Sequence, residues 1–211
     1  MVSSMLCLRK LQHERCCHKI LLARYVLGTL LLIVLTMLSA LAHGNDAQVV
    51  AISPKIADEQ LSLDADLELD LTGELHKAAN KGIPIYFTAN VELVRPRWWW
   101  FDKVITKKQM TWRVVYNALT RQWRVGSQDV SVPETSLEDA LTQIRYIRNW
   151  QLMDITALKE GERYEGRLRL RLDTSLFAKP IQVDALNSSA WSLSTPWKSF
   201  SFTYSDGKLV P

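Results

Sequence analysis

The chain has 211 residues, with 26 Lys and Arg against 22 Asp and Glu, which gives a formal net charge of +4. Residues 1–42 hold five of the basic residues and one of the acidic ones, so residues 43–211 carry 21 of each and no net charge. A neutral domain lacks the net attraction for phosphate backbones on which nonspecific nucleic-acid binding depends, so the composition gives no support for a DNA- or RNA-binding function.

The first predicted element is an export signal. Five basic residues between Arg9 and Arg24 precede a nearly continuous apolar run, Tyr25–Leu41, which ends in the small-residue site Ala40–Ala42. This layout predicts a secretory signal peptide over residues 1–42, cleaved after Ala42. The alternative is a retained signal anchor, since the run is just long enough to span a bilayer. Both interpretations place residues 43–211 in the periplasm, and the second tethers them to the inner membrane through residues 25–42.

All three cysteines, Cys7, Cys16 and Cys17, lie in this leader. Residues 43–211 contain none, which excludes a disulfide, a thiolate metal ligand and a cysteine nucleophile from the exported part. About 169 residues suit a single domain with its own core.

The exported part begins with a predicted flexible lead-in over residues 43–48. From Leu61 to Leu71 apolar and acidic or polar residues alternate, which predicts a strand with one buried face. Thr72 is the predicted N-cap of a short helix that ends before Gly82 and Pro84. The apolar residues of this helix are Leu75, Ala78 and Ala79. Residues 83–95 are rich in β-branched and aromatic types and predict a further strand.

The second half continues the same β-rich pattern. Residues 109–116 and 121–126 predict a hairpin, and Ser136 with Asp139 predicts the capped start of a second helix. The apolar stripe of that helix is Leu137, Ala140, Leu141, Ile144 and Ile147. Strands are predicted near 150–156, 162–172 and 197–204. Few connections suit parallel crossovers, so we expect a mainly β (α+β) fold, an antiparallel sandwich-like domain with two short helices.

Several blocks of the exported part are similar to a known family. They are GIPIYFTANVELVRPRWWWFDKV (82–104), YNALTRQWRV (116–125), SLEDAL (136–141), RLRLRLDTSLFAKPIQVDAL (167–186) and the spaced Trp191 and Trp197. With these the chain resembles a proteobacterial family known as domain of unknown function 4390. The resemblance implies a secreted or membrane-anchored envelope protein and brings no activity and no catalytic residues. Genes of similar proteins often lie near those of an rRNA methyltransferase and a membrane sensor kinase, which suggests such a kinase as a partner by association alone.

The sharpest candidate for a functional site is the aromatic loop, which we define as residues 95–103. Pro96 should interrupt the strand ladder, and four successive aromatics cannot all face one core because neighbours in an extended segment point to opposite sides. The functional interpretation is contact with a membrane surface or a protein partner. The alternative, which the ready burial of large aromatics favours, is a tip that folds back over the open end of the sandwich, and a surface for stacking on sugars is a weaker third interpretation. The candidate contact residues are Arg95, Arg97, Trp98, Trp99, Trp100 and Phe101.

Two runs of alternating charge come next. The acidic ladder is Asp64, Asp66, Glu68 and Asp70, and the arginine ladder is Arg163, Arg167, Arg169 and Arg171, with Glu165 between. If the two strands are neighbours, these charges pair across the sheet. Calcium binding is disfavoured, because carboxylates spaced along one strand do not converge on an ion. An anion-binding face at Arg167, Arg169 and Arg171 is the functional alternative to a neutralised, solvated face.

Histidine and enzyme signals are weak. Cleavage after Ala42 makes His43 the terminal residue, and its amine and imidazole together with His76 are candidate copper ligands. There is no phosphate-binding glycine loop, no G-x-S-x-G and no H-E-x-x-H motif. Asp173-Thr174-Ser175 is interpreted as a turn that ends the arginine strand.

The sequence therefore favours a non-enzymatic envelope module that binds a protein partner or the membrane surface through the aromatic loop, with no cofactor. The alternative is a periplasmic enzyme or a copper-binding protein, which would show a deep cleft with convergent Asp, Glu or His.

Overall fold

The computed structural model describes residues 47–99, 101–127, 130–179, 181–182 and 189–210. Within these ranges the chain forms ten strands and two α-helices, and all neighbouring strands are antiparallel. The predicted mainly β fold with two helices is confirmed. The predicted leader, residues 1–42, lies outside the described residues.

A three-stranded sheet has the order β1-β2-β7. Its strands are β1 (Ala47–Ala57), β2 (Gln60–Leu69) and β7 (Tyr146–Asp154). The expected lead-in over residues 43–48 is wrong from Ala47 onward, because Ala47 and Val49 are buried and pair with Leu69 and Leu67. This strand was not predicted because its residues lack a regular alternation of apolar and polar types and include Pro54, which an edge strand tolerates.

The larger sheet has seven described strands in the order β10-β9-β8-β3-β4-β5-β6. They are β3 (Ile85–Arg95), β4 (Lys103–Asn117), β5 (Gln122–Ser127), β6 (Val130–Glu134), β8 (Arg163–Leu172), β9 (Lys198–Ser205) and β10 (Lys208–Val210). The predicted hairpin of β4 and β5 is confirmed, and Asn117 Oδ1 accepts hydrogen bonds from the backbone of Leu119 and Thr120 in its turn.

Both predicted helix starts are confirmed. Helix α1 (Gly73–Asn80) is capped by Thr72, and α2 (Leu137–Arg145) by Ser136, whose hydroxyl accepts a 3.0 Å hydrogen bond from the Asp139 backbone. The placement of Ile147 on the second helix is wrong. The helix ends at Arg145 and the chain passes directly into β7, where Ile147 pairs with Ala65 and is still buried. Strand pairing thus replaces the last helical turn.

One hydrophobic cluster takes side chains from both sheets and both helices. Its almost fully buried members include Leu61 and Leu63 of β2, Phe87 of β3 and Tyr164 of β8. The buried Tyr164 hydroxyl is satisfied, because it accepts a 2.8 Å hydrogen bond from the Lys159 backbone. No helix of the described residues is long and apolar enough to cross a membrane.

Gly166 of β8 generates a stability prediction. It lies opposite Phe200 of β9, and a Cβ at this position would stand 2.6–2.7 Å from the Cε atoms of the Phe200 ring. Gly166→Ala should therefore lower the free energy of unfolding by about 1–3 kcal/mol, measured by urea denaturation, because the ring must leave its place over the backbone. The control is Gly73→Ala, where an added Cβ meets nothing within 4 Å. An equal stability of the two variants would contradict the packing role of Gly166.

Candidate functional site

The aromatic loop exposes three large side chains. β3 and β4 pair as far as Arg95 and Lys103, so the aromatics stand at the tip of this hairpin. Trp98 and Phe101 are each 88% exposed, and Trp99 is 70% exposed. Trp100 lies outside the described residues. For these three side chains the alternative of a tip folded back over the sandwich is wrong, because the hairpin carries them beyond the core.

The base of the loop is fixed by an ion pair. Arg95 Nη1 lies 3.4 Å from Glu162 Oε1, and the Arg95 side chain is largely buried. The rings of Trp98 and Trp99 contact each other, with centroids 4.6 Å apart and planes tilted by 49°. The aromatic pair therefore projects from an anchored base. A shallow depression of about 320 Å³ beside it is lined by Arg95, Pro96, Arg97, Trp98, Trp99 and Glu162.

The surroundings of the loop suit an amphipathic contact. Val104, half exposed, extends the apolar surface by one more side chain. The loop carries Arg95, Arg97 and Lys103 against Asp102, a surplus of positive charge. Tryptophan next to basic residues is the combination enriched where proteins meet the headgroup region of a bilayer.

The acidic ladder does not pair with the arginine ladder. β2 belongs to the three-stranded sheet and β8 to the larger one, so the predicted pairing is wrong. The neighbours of β2 supply the partners instead. Asp64 pairs with Lys55 of β1 at 2.8 Å, and Asp66 pairs with Arg148 of β7 at 2.6 Å. Glu68 accepts from Gln48, and Arg145 at the end of α2 lies 3.5 Å from Asp70. Three of the four carboxylates thus have a cationic partner nearby, and Glu68 has an amide.

The arginine ladder occupies the outer face of β8. Its residues alternate with the buried Tyr164, Leu168, Leu170 and Leu172, as a strand with one wet face requires. Three of the four arginines have an acidic partner. Arg163 pairs with Glu165 at 3.7 Å, Arg167 with Glu92 at 2.6 Å and Arg171 with Asp173 at 2.9 Å.

Glu92 of β3 joins three strands through its carboxylate. It lies opposite Lys107 of β4 on one side and Arg167 of β8 on the other. Lys107 Nζ lies 2.9 Å from one carboxylate oxygen, and Arg167 donates to the other from Nε at 3.0 Å and Nη2 at 2.6 Å. The hydrogen bonds from Lys107 and then Arg167 hold the pKa of Glu92 below its usual value.

Trp197 adds an aromatic surface beside this charge network. The guanidinium carbons of Arg167 and Arg169 lie 4.6 and 4.5 Å from the centre of its ring, so the indole contacts both cations. The residue directly precedes β9, which brings it alongside β8.

Asp173 ends the arginine strand as the sequence predicts. It caps a 3-10 turn over Thr174–Leu176 and accepts hydrogen bonds from the backbone and hydroxyl of Ser175. Its other oxygen accepts from Arg171 at 2.9 Å and from Thr88 at 3.3 Å. The carboxylate is buried, and its hydrogen bonds serve the structure of the turn.

The family model described as domain of unknown function (DUF4390) matches residues 44–201. The chain belongs to this family. The resemblance stated from the sequence blocks is thereby confirmed, and the family description assigns no activity. No curated protein and no solved structure matches the chain.

Of the two histidines that the copper hypothesis for the DUF4390 domain uses, the structure describes one. His76 lies on α1 and shares a 2.9 Å hydrogen bond with Asn80. His43 lies outside the described residues. Among the residues that the structure describes, no group of three or more His, Cys, Asp and Glu is placed to hold a metal ion. Copper binding remains an untested prediction.

A cavity of about 470 Å³ lies on the outer face of the DUF4390 domain near the base of the aromatic loop. Its charged and hydroxyl residues are Glu92, Asp102, Arg163, Glu165, Arg167, Ser199 and Ser201. The pKa values of Asp64, Glu92, Asp139 and Asp154 lie below their usual range. This direction is typical of carboxylates in ion pairs and turn caps.

Sequence reasoning missed Glu92, Lys107 and the contact of Trp197 with the arginines. The available signal was the alternation within residues 83–95, which places Glu92 among outward-facing positions. That pattern shows which face a residue occupies, but only the strand order shows that Lys107 and Arg167 flank it.

The lowered pKa of Glu92 predicts that the free energy of unfolding depends on pH. Because its pKa is lower in the folded state, ionised Glu92 stabilises the fold above its unfolded pKa, and this stabilisation is lost as the pH falls through the folded pKa. Glu92→Gln should lower the free energy of unfolding by roughly 1 kcal/mol at pH 7 and by clearly less at pH 3. Urea denaturation at both pH values measures this. Glu165→Gln, which removes a longer and more exposed ion pair, is the control; a Glu92→Gln effect that is independent of pH would contradict the network.

Proposed function

We propose that this protein is a non-enzymatic domain of the cell envelope that contacts the membrane surface through its aromatic loop. The observation that carries the proposal is the exposure of Trp98, Trp99 and Phe101 together at one hairpin tip. Water contact of three large aromatics costs free energy that burial would recover. Contiguous exposed apolar surface on a soluble domain commonly marks a membrane or protein contact.

The shape and charge of the loop favour a membrane over a protein groove as the principal target. A protruding tip inserts its rings among headgroups without needing a complementary pocket. Arg97 and Lys103 stand on either side of the aromatics, where they attract anionic lipids. The apolar run Tyr25–Leu41 supports the same location, since as a signal or an anchor it directs the domain to the outer side of the inner membrane.

A protein partner is the second candidate for the same loop. Tryptophan and arginine are the residue types that dominate the energetics of protein interfaces, and the loop presents both. In this version the domain has a regulatory role, and a membrane sensor kinase is the partner suggested by association.

Removal of the exposed aromatics tests the membrane contact. The experiment uses a protein of residues 43–211, which contains the hydrophobic core that both sheets share. A triple variant of it should co-sediment about tenfold less, or less still, with vesicles that contain phosphatidylglycerol. Its substitutions are Trp98→Ser, Trp99→Ser and Phe101→Ser. The stability should change little because these side chains are exposed. The matched control is Leu119→Ser, since Leu119 is 95% exposed at the turn of the other hairpin of β4. Unchanged vesicle binding by the triple variant contradicts the membrane contact.

A photo-crosslinking residue at position 99 of the full-length chain distinguishes the two targets in the native envelope. Lipid adducts are expected from the membrane contact, whereas one reproducible protein adduct would assign the loop to a partner. Position 119 provides the background level, because its side chain is 95% exposed, against 70% for Trp99, and it lies at the other hairpin turn.

A further inference from the structure

A row of polar side chains crosses the outer face of the larger sheet. Arg169 of β8 pairs with Asn90 of β3, and Asn90 pairs with Gln109 of β4. Directly opposed residues of antiparallel strands place their side chains on the same face, with about 5 Å from one strand to the next. The row therefore presents a guanidinium followed by two amides.

Among the described residues, Arg169 is the one arginine of the ladder without an acidic partner. No carboxylate of the described residues lies within ion-pair distance of it, in contrast to Arg163, Arg167 and Arg171. Its Nε atom is buried without a hydrogen-bond partner in the part of the chain that the structure describes. A half-buried guanidinium without a counter-ion is costly for a fold, since most charges at this depth are paired.

Trp197 holds this unpaired cation in place. Its ring lies 4.5 Å from the Arg169 guanidinium carbon and 4.6 Å from that of Arg167, while Arg167 is also bound to Glu92. A guanidinium restrained by stacking loses less conformational freedom when it binds an anion than a mobile surface arginine does. Arg169 is thus both unpaired and preorganised.

The charges around the row add to a positive surplus. Four cations on the neighbouring positions of β4 and β8 face two carboxylates. The cations are Lys107, Arg167, Arg169 and Arg171, and the carboxylates are Glu92 and Asp173. Because Glu92 and Asp173 are each occupied by their own partners, the surplus centres on Arg169. A group with a charge near −2 and several acceptor oxygens matches this surplus.

We propose that Arg169, positioned by Trp197 and assisted by Asn90 and Gln109, binds the phosphate group of a phosphomonoester. Guanidinium and amide groups are donors, and a phosphate offers three acceptor oxygens with a charge of about −1.5 to −2 at neutral pH. The site lies on a strand face and is separate from the aromatic loop. Phosphate binding at this site does not depend on contact between the loop and a membrane.

Inorganic phosphate is the first probe. The protein is purified in the form that the cell produces after any processing of its leader. Calorimetric titration with inorganic phosphate at constant ionic strength should show saturable binding. Arg169→Gln should weaken this binding by about tenfold or more. Arg163→Gln is the matched control, because Arg163 lies on the same strand face and has its own partner Glu165. Its affinity should stay within about twofold of the unchanged protein, since one remote surface charge is largely screened.

A second variant separates a specific site from general damage. Trp197→Leu keeps every charge and removes the stacking surface, so it should also weaken phosphate binding while Arg163→Gln does not. Urea denaturation confirms that each variant is folded. Absence of saturable binding by the unchanged protein overturns the proposal. So does equal affinity of the Arg169→Gln and Arg163→Gln proteins.

Two further titrations distinguish whether the phosphate group belongs to a soluble molecule or to a lipid. Glycerol phosphate represents a soluble phosphomonoester, and phosphatidylcholine vesicles with phosphatidic acid represent a lipid headgroup. Binding that depends on Arg169 in either arm supports the site and assigns its source. The variant without Trp98, Trp99 and Phe101 should retain phosphate binding, so failure of the loop proposal and failure of this one give different results.

Discussion

The register of β3 is the constraint on which the rest of the structure depends. This strand is hydrogen-bonded to β4 on one side and β8 on the other, and its alternate residues face the core and the outer surface. Phe87, Val91 and Leu93 are fully buried. A shift by one residue would exchange them with Asn90 and Glu92, which would put a carboxylate into the core. The core and the outer charge network are therefore two results of one register.

The two candidate surfaces follow different physical rules. The larger sheet buries Trp112 and Trp123, because the alternation of β4 and β5 directs them inward. Trp98 and Trp99 lie beyond the last paired residues of their hairpin, and both are largely exposed. Their exposure is an apolar feature of the tip. The row at Arg169 is instead a polar feature of a regular strand face, created by strands that are distant in sequence.

Local patterns were sufficient to predict much of the fold. The helix starts at Thr72 and Ser136 were predictable because capping involves residues only three apart. The edge strands β1, β6 and β10 were missed, because β1 and β6 contain Pro54 and Pro133, which a strand pattern in the sequence rarely includes, and β10 has only three residues. Ile147 matched a helical stripe but joined β7, since pairing with β2 outweighed local preference.

The sequence by itself determined the β-rich class, the positions of the helices, the aromatic tip and the absence of cysteine from residues 43–211. It also determined that the charges of both ladders point away from the core, because alternation depends only on neighbours along the chain. Only the tertiary structure decided which charges meet. Strand order places β2 and β8 in separate sheets and brings Glu92 between Lys107 and Arg167. Partners across a sheet are chosen by the packing of the whole core, which no local pattern records.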